Sequence, residues 1–167
     1  MCETAYSADA EINETLEAYS DLVYKLALSR TKSGPDAEDI FQEVFMRYIS
    51  CKKVFESEEH KKAWLIKVTI NCSNKLFGSA WMRHRASLDD TSDYTPPPEA
   101  SDESGIFAAM SKLPASYRTV IHLFYYEDMS IRQISLALKK KEGTVKSQLN
   151  RARALLKNEL KGEIEYV

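Results

Sequence analysis

Apolar residues recur every three or four positions through most of the chain, the spacing of one face of an α-helix. Ile12, Leu16, Tyr19, Val23 and Leu26 form the first such stripe. Gly34-Pro35 breaks the chain after it. Asp36 then reads as an N-cap, with Glu38 and Asp39 in the first turn, where the helix dipole favours carboxylates. Ala37, Ile40, Phe41, Val44, Phe45 and Tyr48 make a second, broader stripe. A third helix is predicted from about Glu59 to Phe77, with Trp64, Leu65, Val68, Cys72 and Leu76 inward. No segment alternates cleanly with period two, so an all-α fold is expected.

Further on, Ile106, Phe107, Met110 and Leu113 form a short helix stopped by Pro114. Tyr117, Val120, Ile121, Phe124 and Tyr125 give the next. The stretch from Ser130 to Leu156, SIRQISLALKKKEGTVKSQLNRARALL, holds two helices around a tight turn. Ser130 is placed to cap the first, and Ile131, Ile134 and Leu138 point inward. Ala137 is small where two helices must approach. Val145, Leu149, Ala152 and Leu156 give the second helix its inner face. The turn needs a left-handed residue, usually glycine, and Lys139 stands there. This is the pattern of a helix-turn-helix.

Leu88 to Glu103 differs from everything around it. It carries six acidic residues, Pro96-Pro97-Pro98 and almost no apolar side chains. Such a segment buries too little surface to offset its ordering entropy. The expected organisation is two small helical domains, 1–86 and 104–167, joined by a flexible acidic linker over 87–103.

The net charge of −2 argues against a nucleic-acid partner, but the distribution reverses that argument. Met1 to Tyr24 has six acidic residues and no basic one; Lys61 to Arg85 has six basic and no acidic; Ser130 to Lys161 has nine basic and two acidic. Phosphates respond to the local field within a Debye length, not to the chain average. On the outer face of the last helix, Lys146, Ser147, Asn150, Arg151 and Arg153 are residue types that bond phosphates and base edges. Lys146, Ser147 and Asn150 are candidates for base edges; Arg151, Arg153 and the turn lysines are candidates for phosphates. The rival reading is an amphipathic helix with a solvated basic face. Spacing, turn and charge together favour DNA.

Other chemistry is not expected. Cys2, Cys51 and Cys72 are far apart, and His60, His84 and His122 are scattered, so no metal site is predicted. No glycine-rich phosphate loop or nucleophile elbow occurs, so neither catalytic residues, a cofactor nor a small-molecule substrate is expected. No run of eighteen apolar residues spans a membrane, and the acidic N-terminus lacks the features of a secretory signal. The cytoplasm is the expected compartment.

Two stretches together resemble the extracytoplasmic-function (ECF) sigma factors of bacterial RNA polymerase. One is DAEDIFQEVF from Asp36 to Phe45, followed by AWLIKV from Ala63 to Val68 and by Asn71. The other is Leu113-Pro114 leading to GTVKS from Gly143 to Ser147 and RAR from Arg151 to Arg153. Their order and separation match the family's regions two and four over nearly the whole chain. The resemblance implies a promoter-specificity factor that binds core polymerase and recognises the minus-ten and minus-thirty-five elements. It implies that Asp39, Gln42 and Glu43 dock on the clamp helices of the polymerase's largest subunit. It assigns Phe55, Lys67, Asn71 and Lys75 to the minus-ten DNA, and Lys146, Ser147, Asn150 and Arg151 to the minus-thirty-five duplex. An anti-sigma partner is implied as well. The loop from Phe55 to Lys61 departs from the family's glycine-rich form, and Phe124 stands where some members carry an arginine. The alternative is a stand-alone helix-turn-helix regulator, which explains Ser130 to Leu156 but gives no reason for the acidic and basic helices before it.

Overall fold

The computed structural model describes residues 2–84 and 105–164, with side chains over 7–79 and 105–161. The acidic linker expected over 87–103 lies outside the described residues. Every regular element described is helical: α1 (Cys2–Thr31), α2 (Gly34–Ser50), α3 (Glu58–His84), α4 (Ile106–Ser111), α5 (Ala115–Ile121), α6 (Ile131–Leu138) and α7 (Glu142–Ile164). A π-helical turn, His122–Tyr126, extends α5. No helix among the described residues is long and apolar enough to cross a membrane.

The N-terminal domain is α1, α2 and α3 packed on one another. The α1–α2 junction corrects the expected cap. Ser33, not Asp36, is the N-cap of α2, and its Oγ accepts from the Asp36 N–H at 3.3 Å. Gly34-Pro35 does not separate the helices but opens the second one, because proline fits the first turn, where its missing N–H has no partner to lose. The chain turns at Lys32, in the left-handed region at φ 56°. The predicted stripe of α2 is inward: Ala37, Ile40, Val44, Phe45 and Tyr48 are buried, and Phe41 packs on Phe45 with ring centroids 4.8 Å apart.

Helix α3 is longer than its stripe predicts and is buried on more than one side. Leu65 and Cys72 are inward as expected, but Ile66, Thr69, Ile70 and Ser73 are buried too. The reason is tertiary: α1 and α2 cover one side of α3, and α6 of the C-terminal domain packs on another.

In the C-terminal domain, α7 packs on α4, α5 and α6. Ser130 and Gln133 form a capping box: Ser130 Oγ accepts from Gln133 N at 3.1 Å, and Gln133 Oε1 accepts from Ser130 N at 2.9 Å. Lys139 ends α6 at φ 53°, ψ 45°, the left-handed conformation the turn requires. Ile134, Ala137, Leu138, Val145, Leu149 and Ala152 are buried between α6 and α7 and their supports. The core is continuous across the two domains.

Candidate nucleic-acid interface

Helix α7 carries the most one-sided surface. With Val145, Leu149 and Ala152 buried, the 3.6-residue period turns Lys146, Ser147, Asn150, Arg151 and Arg153 outward, and all five are exposed. Lys146 and Arg151 form no ion pair among the described residues. Arg153 differs. Its Nε donates to the Tyr125 hydroxyl at 2.6 Å, its Nη1 reaches Asn150 Oδ1 at 3.4 Å, and its Cζ lies 5.3 Å from the Phe124 ring centroid. A cation from α7 thus covers Phe124, the position noted in the sequence for its lack of arginine.

The second basic surface is on α3. Lys67, Asn71 and Lys75 are four residues apart and form one stripe. Lys67 is half-buried, whereas Asn71 and Lys75 are exposed. Phe55 is brought to the N-terminal end of this helix, half-buried among Trp64 (5.6 Å between centroids), His60 (5.7 Å) and Tyr48 (6.2 Å). Trp64 completes this aromatic group and packs against the core, as expected of it.

Lys61, which opens the basic block in the sequence, belongs to the interior. It is 7% exposed, and its Nζ lies 3.5 Å from Glu58 and 3.6 Å from Glu11. Burial opposes its charge, and Tyr48, Glu58 and Glu11 more than offset that, so its pKa stands above the ordinary lysine value. Tyr19 donates to Glu58 Oε2 at 2.8 Å. Burial, and then the Glu58 bond, push the Tyr19 phenol up to about 12. Sequence counting could not separate Lys61 from Lys67, because only the packing of α1 on α3 brings Glu11 to it.

The acidic face of α2 is exposed at Asp39, Gln42 and Glu43. Glu43 accepts from Arg47 Nε at 2.7 Å, a bond that raises the Arg47 pKa. Met46 (64% exposed) and Ile49 (54%) continue the same surface and were not singled out by the pattern. Exposed apolar side chains beside carboxylates suit a protein partner better than a nucleic acid. Cys72 is buried, and burial pushes its thiol pKa up, the behaviour of an ordinary core cysteine.

The Sigma-70 region 2 family matches residues 15–83, and the Sigma-70, region 4 family matches residues 105–156. SigM of Bacillus subtilis, an ECF RNA polymerase sigma factor, is 30% identical over 159 residues, which cover 87% of this chain and 93% of SigM. SigL of Mycobacterium tuberculosis, another ECF sigma factor, is 31% identical over 157 residues, covering 89% and 88%. In fold the chain is similar to the sigma factor RpoE solved with the anti-sigma factor NepR from Bartonella quintana: TM-score 0.72, 23% identity, 90% of this chain and 97% of that one. It is also similar to CnrH solved with the cytosolic domain of CnrY: TM-score 0.69, 19% identity, 95% and 94%.

The two matched regions define a transcription-initiation factor. The chain belongs to the ECF RNA polymerase sigma factors, which bind core RNA polymerase and promoter DNA. The region 2 match accounts for the N-terminal helices that a stand-alone regulator leaves unexplained.

Proposed function

We propose that the chain acts as a two-handed adaptor, with domain 1–86 on core polymerase and the minus-ten element and domain 104–167 on the minus-thirty-five element. Asp39, Gln42 and Glu43, flanked by Met46 and Ile49, dock on the clamp helices of the polymerase's largest subunit. An arginine-rich coiled coil complements that face by charge-assisted hydrogen bonds. Lys67, Asn71 and Lys75 track the opened minus-ten strand, and the Phe55 group takes an unstacked base. Lys146, Ser147, Asn150, Arg151 and Arg153 hold the minus-thirty-five duplex in the major groove. The linker over 87–103 spans the two. The chain supplies the address, and the polymerase supplies the chemistry.

The observation that carries this reading is the division of α7: buried Val145, Leu149 and Ala152 behind, exposed Lys146, Ser147, Asn150 and Arg151 in front. RpoE was solved with NepR, and CnrH with part of CnrY. By analogy an anti-sigma protein is the expected inhibitory partner of this chain. The test is run-off transcription with purified core polymerase on promoters selected from random DNA. Promoter-specific transcripts that need this chain alone support the reading. A requirement for a second sigma factor would overturn it in favour of a stand-alone regulator.

A further inference from the structure

The π-helical turn His122–Tyr126 sets two aromatic side chains beside α7. A π turn is wider than an α turn, so consecutive side chains diverge less. The rings of Phe124 and Tyr125 meet edge to face, with centroids 5.0 Å apart and planes at 78°. The Arg153 guanidinium of α7 lies in that corner, its Cζ 5.3 Å from the Phe124 centroid and 5.5 Å from that of Tyr125. Its Nε donates to the Tyr125 hydroxyl at 2.6 Å. A guanidinium stacked on ring faces and bonded at its neck has little rotational freedom left. It is a fixed point on an otherwise solvated helix face.

That fixed point touches a candidate base reader. Arg153 Nη1 donates to Asn150 Oδ1 at 3.4 Å, one turn back along α7. Arginine carries donors alone, so the amide atom that faces it is the oxygen. The NH2 group of Asn150 is then left for the DNA side. An asparagine reads adenine by a bidentate contact, its oxygen accepting from N6 and its nitrogen donating to N7. Both amide atoms must face the base edge for that contact. With Oδ1 turned to Arg153, Asn150 presents donors only. Guanine offers two acceptors on the same edge, N7 and O6, whereas adenine offers one acceptor and a donor that meets no partner.

We propose that Tyr125 is a positioning residue for sequence recognition: through Arg153 it fixes the Asn150 amide, so that α7 selects guanine over adenine at the base pair Asn150 meets. The proposal rests on the assignment of α7 to the minus-thirty-five duplex. Tyr125 acts through Arg153 and not by touching the base. Removing its hydroxyl keeps the ring stack but frees the guanidinium to swing and the amide to turn.

The test uses the full chain assembled with core polymerase, in three forms: unaltered, Asn150→Ala and Tyr125→Phe. Each is incubated with duplexes that carry a randomised window at the upstream element, and the bound fraction is sequenced. Thermal melting checks folding; Tyr125 is exposed, so Tyr125→Phe should melt with the unaltered chain. Asn150→Ala marks the position that Asn150 reads, as the one whose preference it flattens. There the unaltered chain should favour guanine over adenine by about fivefold on the strand it contacts, the lower end of what one well-made base contact gives. Tyr125→Phe should bring that ratio to one or below and leave the other positions as they were. Adenine favoured by the unaltered chain would overturn the donor-only amide. A Tyr125→Phe profile equal to the unaltered one would overturn the role of Tyr125. An Asn150→Ala profile flattened at no position would overturn base reading by Asn150, while enrichment at other positions leaves α7 on the duplex. Sequence enrichment in no form would instead overturn the assignment of α7, and the proposal with it.

Discussion

Arg153 lies over the ring of Phe124, 5.3 Å from its centroid, and its neighbour Tyr125 accepts a hydrogen bond from it at 2.6 Å. The guanidinium is held back against α5's extension, whereas Arg151 on the same helix is exposed and forms no ion pair among the described residues. Arg151→Ala should therefore lower the salt slope of duplex binding by about one counterion. Arg153→Ala should lower it distinctly less. Affinity measured across a series of salt concentrations separates the two. Equal losses would mean that the Tyr125 bond gives way on binding.

Lys61 and Lys67 are six residues apart on α3; Lys61 is buried and paired with Glu58 and Glu11, whereas Lys67 is half-buried and forms no ion pair among the described residues. Lys67→Met should reduce the salt slope for single-stranded DNA by about 0.7. Lys61→Met should leave that slope unchanged. Its stability effect should stay within about 1 kcal/mol, because Glu11 and Glu58 are exposed and can rehydrate. Denaturant unfolding and strand binding on the same samples check both halves. A slope change in Lys61→Met would show that it leaves its pocket for DNA.

On α2, Glu43 is already bonded to Arg47, and Asp39 forms no ion pair among the described residues. Asp39→Arg should weaken core polymerase binding by about tenfold or more, the cost of placing like charges together. Arg47→Ala releases Glu43 and should leave binding equal or tighter. Surface plasmon resonance with immobilised core reads both. A loss in Arg47→Ala as large as in Asp39→Arg would remove the carboxylates as the docking contacts and put Arg47 in their place.

Gly143 stands in the first turn of α7, and a Cβ built on it meets nothing within 4 Å. The protein itself therefore gives no reason for glycine here. Gly143→Ala should raise stability by about 0.5 kcal/mol through the lower entropy of the unfolded chain. If a phosphate backbone approaches the N-terminus of α7, the same change should weaken duplex binding. Thermal melting and duplex titration together decide: a stabilised variant with full affinity would place the backbone farther away.

Much of this molecule is dictated locally. The 3.6-residue period fixed which side of α2 and of α7 would be buried, because each of those helices has a single apolar stripe and one way to bury it. The capping residue Ser130 and the left-handed turn at Lys139 could be read from residue type and position, since both depend on neighbours within a few residues. The outward placement of Lys146, Ser147, Asn150 and Arg151 followed from the same period. Contacts between residues far apart in the chain were not legible. The burial of Lys61 depends on the packing of α1 on α3 and its pairing on Glu11, the tether of Arg153 on Tyr125, and the second buried side of α3 on α6. Arg118 donates from Nη2 to Arg30 O, joining two buried arginines 88 residues apart in sequence. Sequence alone assigned these arginines no role, because a buried arginine is specified by its acceptors, and here those acceptors are carbonyls and hydroxyls that any sequence carries. Composition and periodicity determined the helices and their faces; only the packing of helices distant in sequence decided which basic side chains are held by the protein and which stay exposed, because their partners lie far away along the chain.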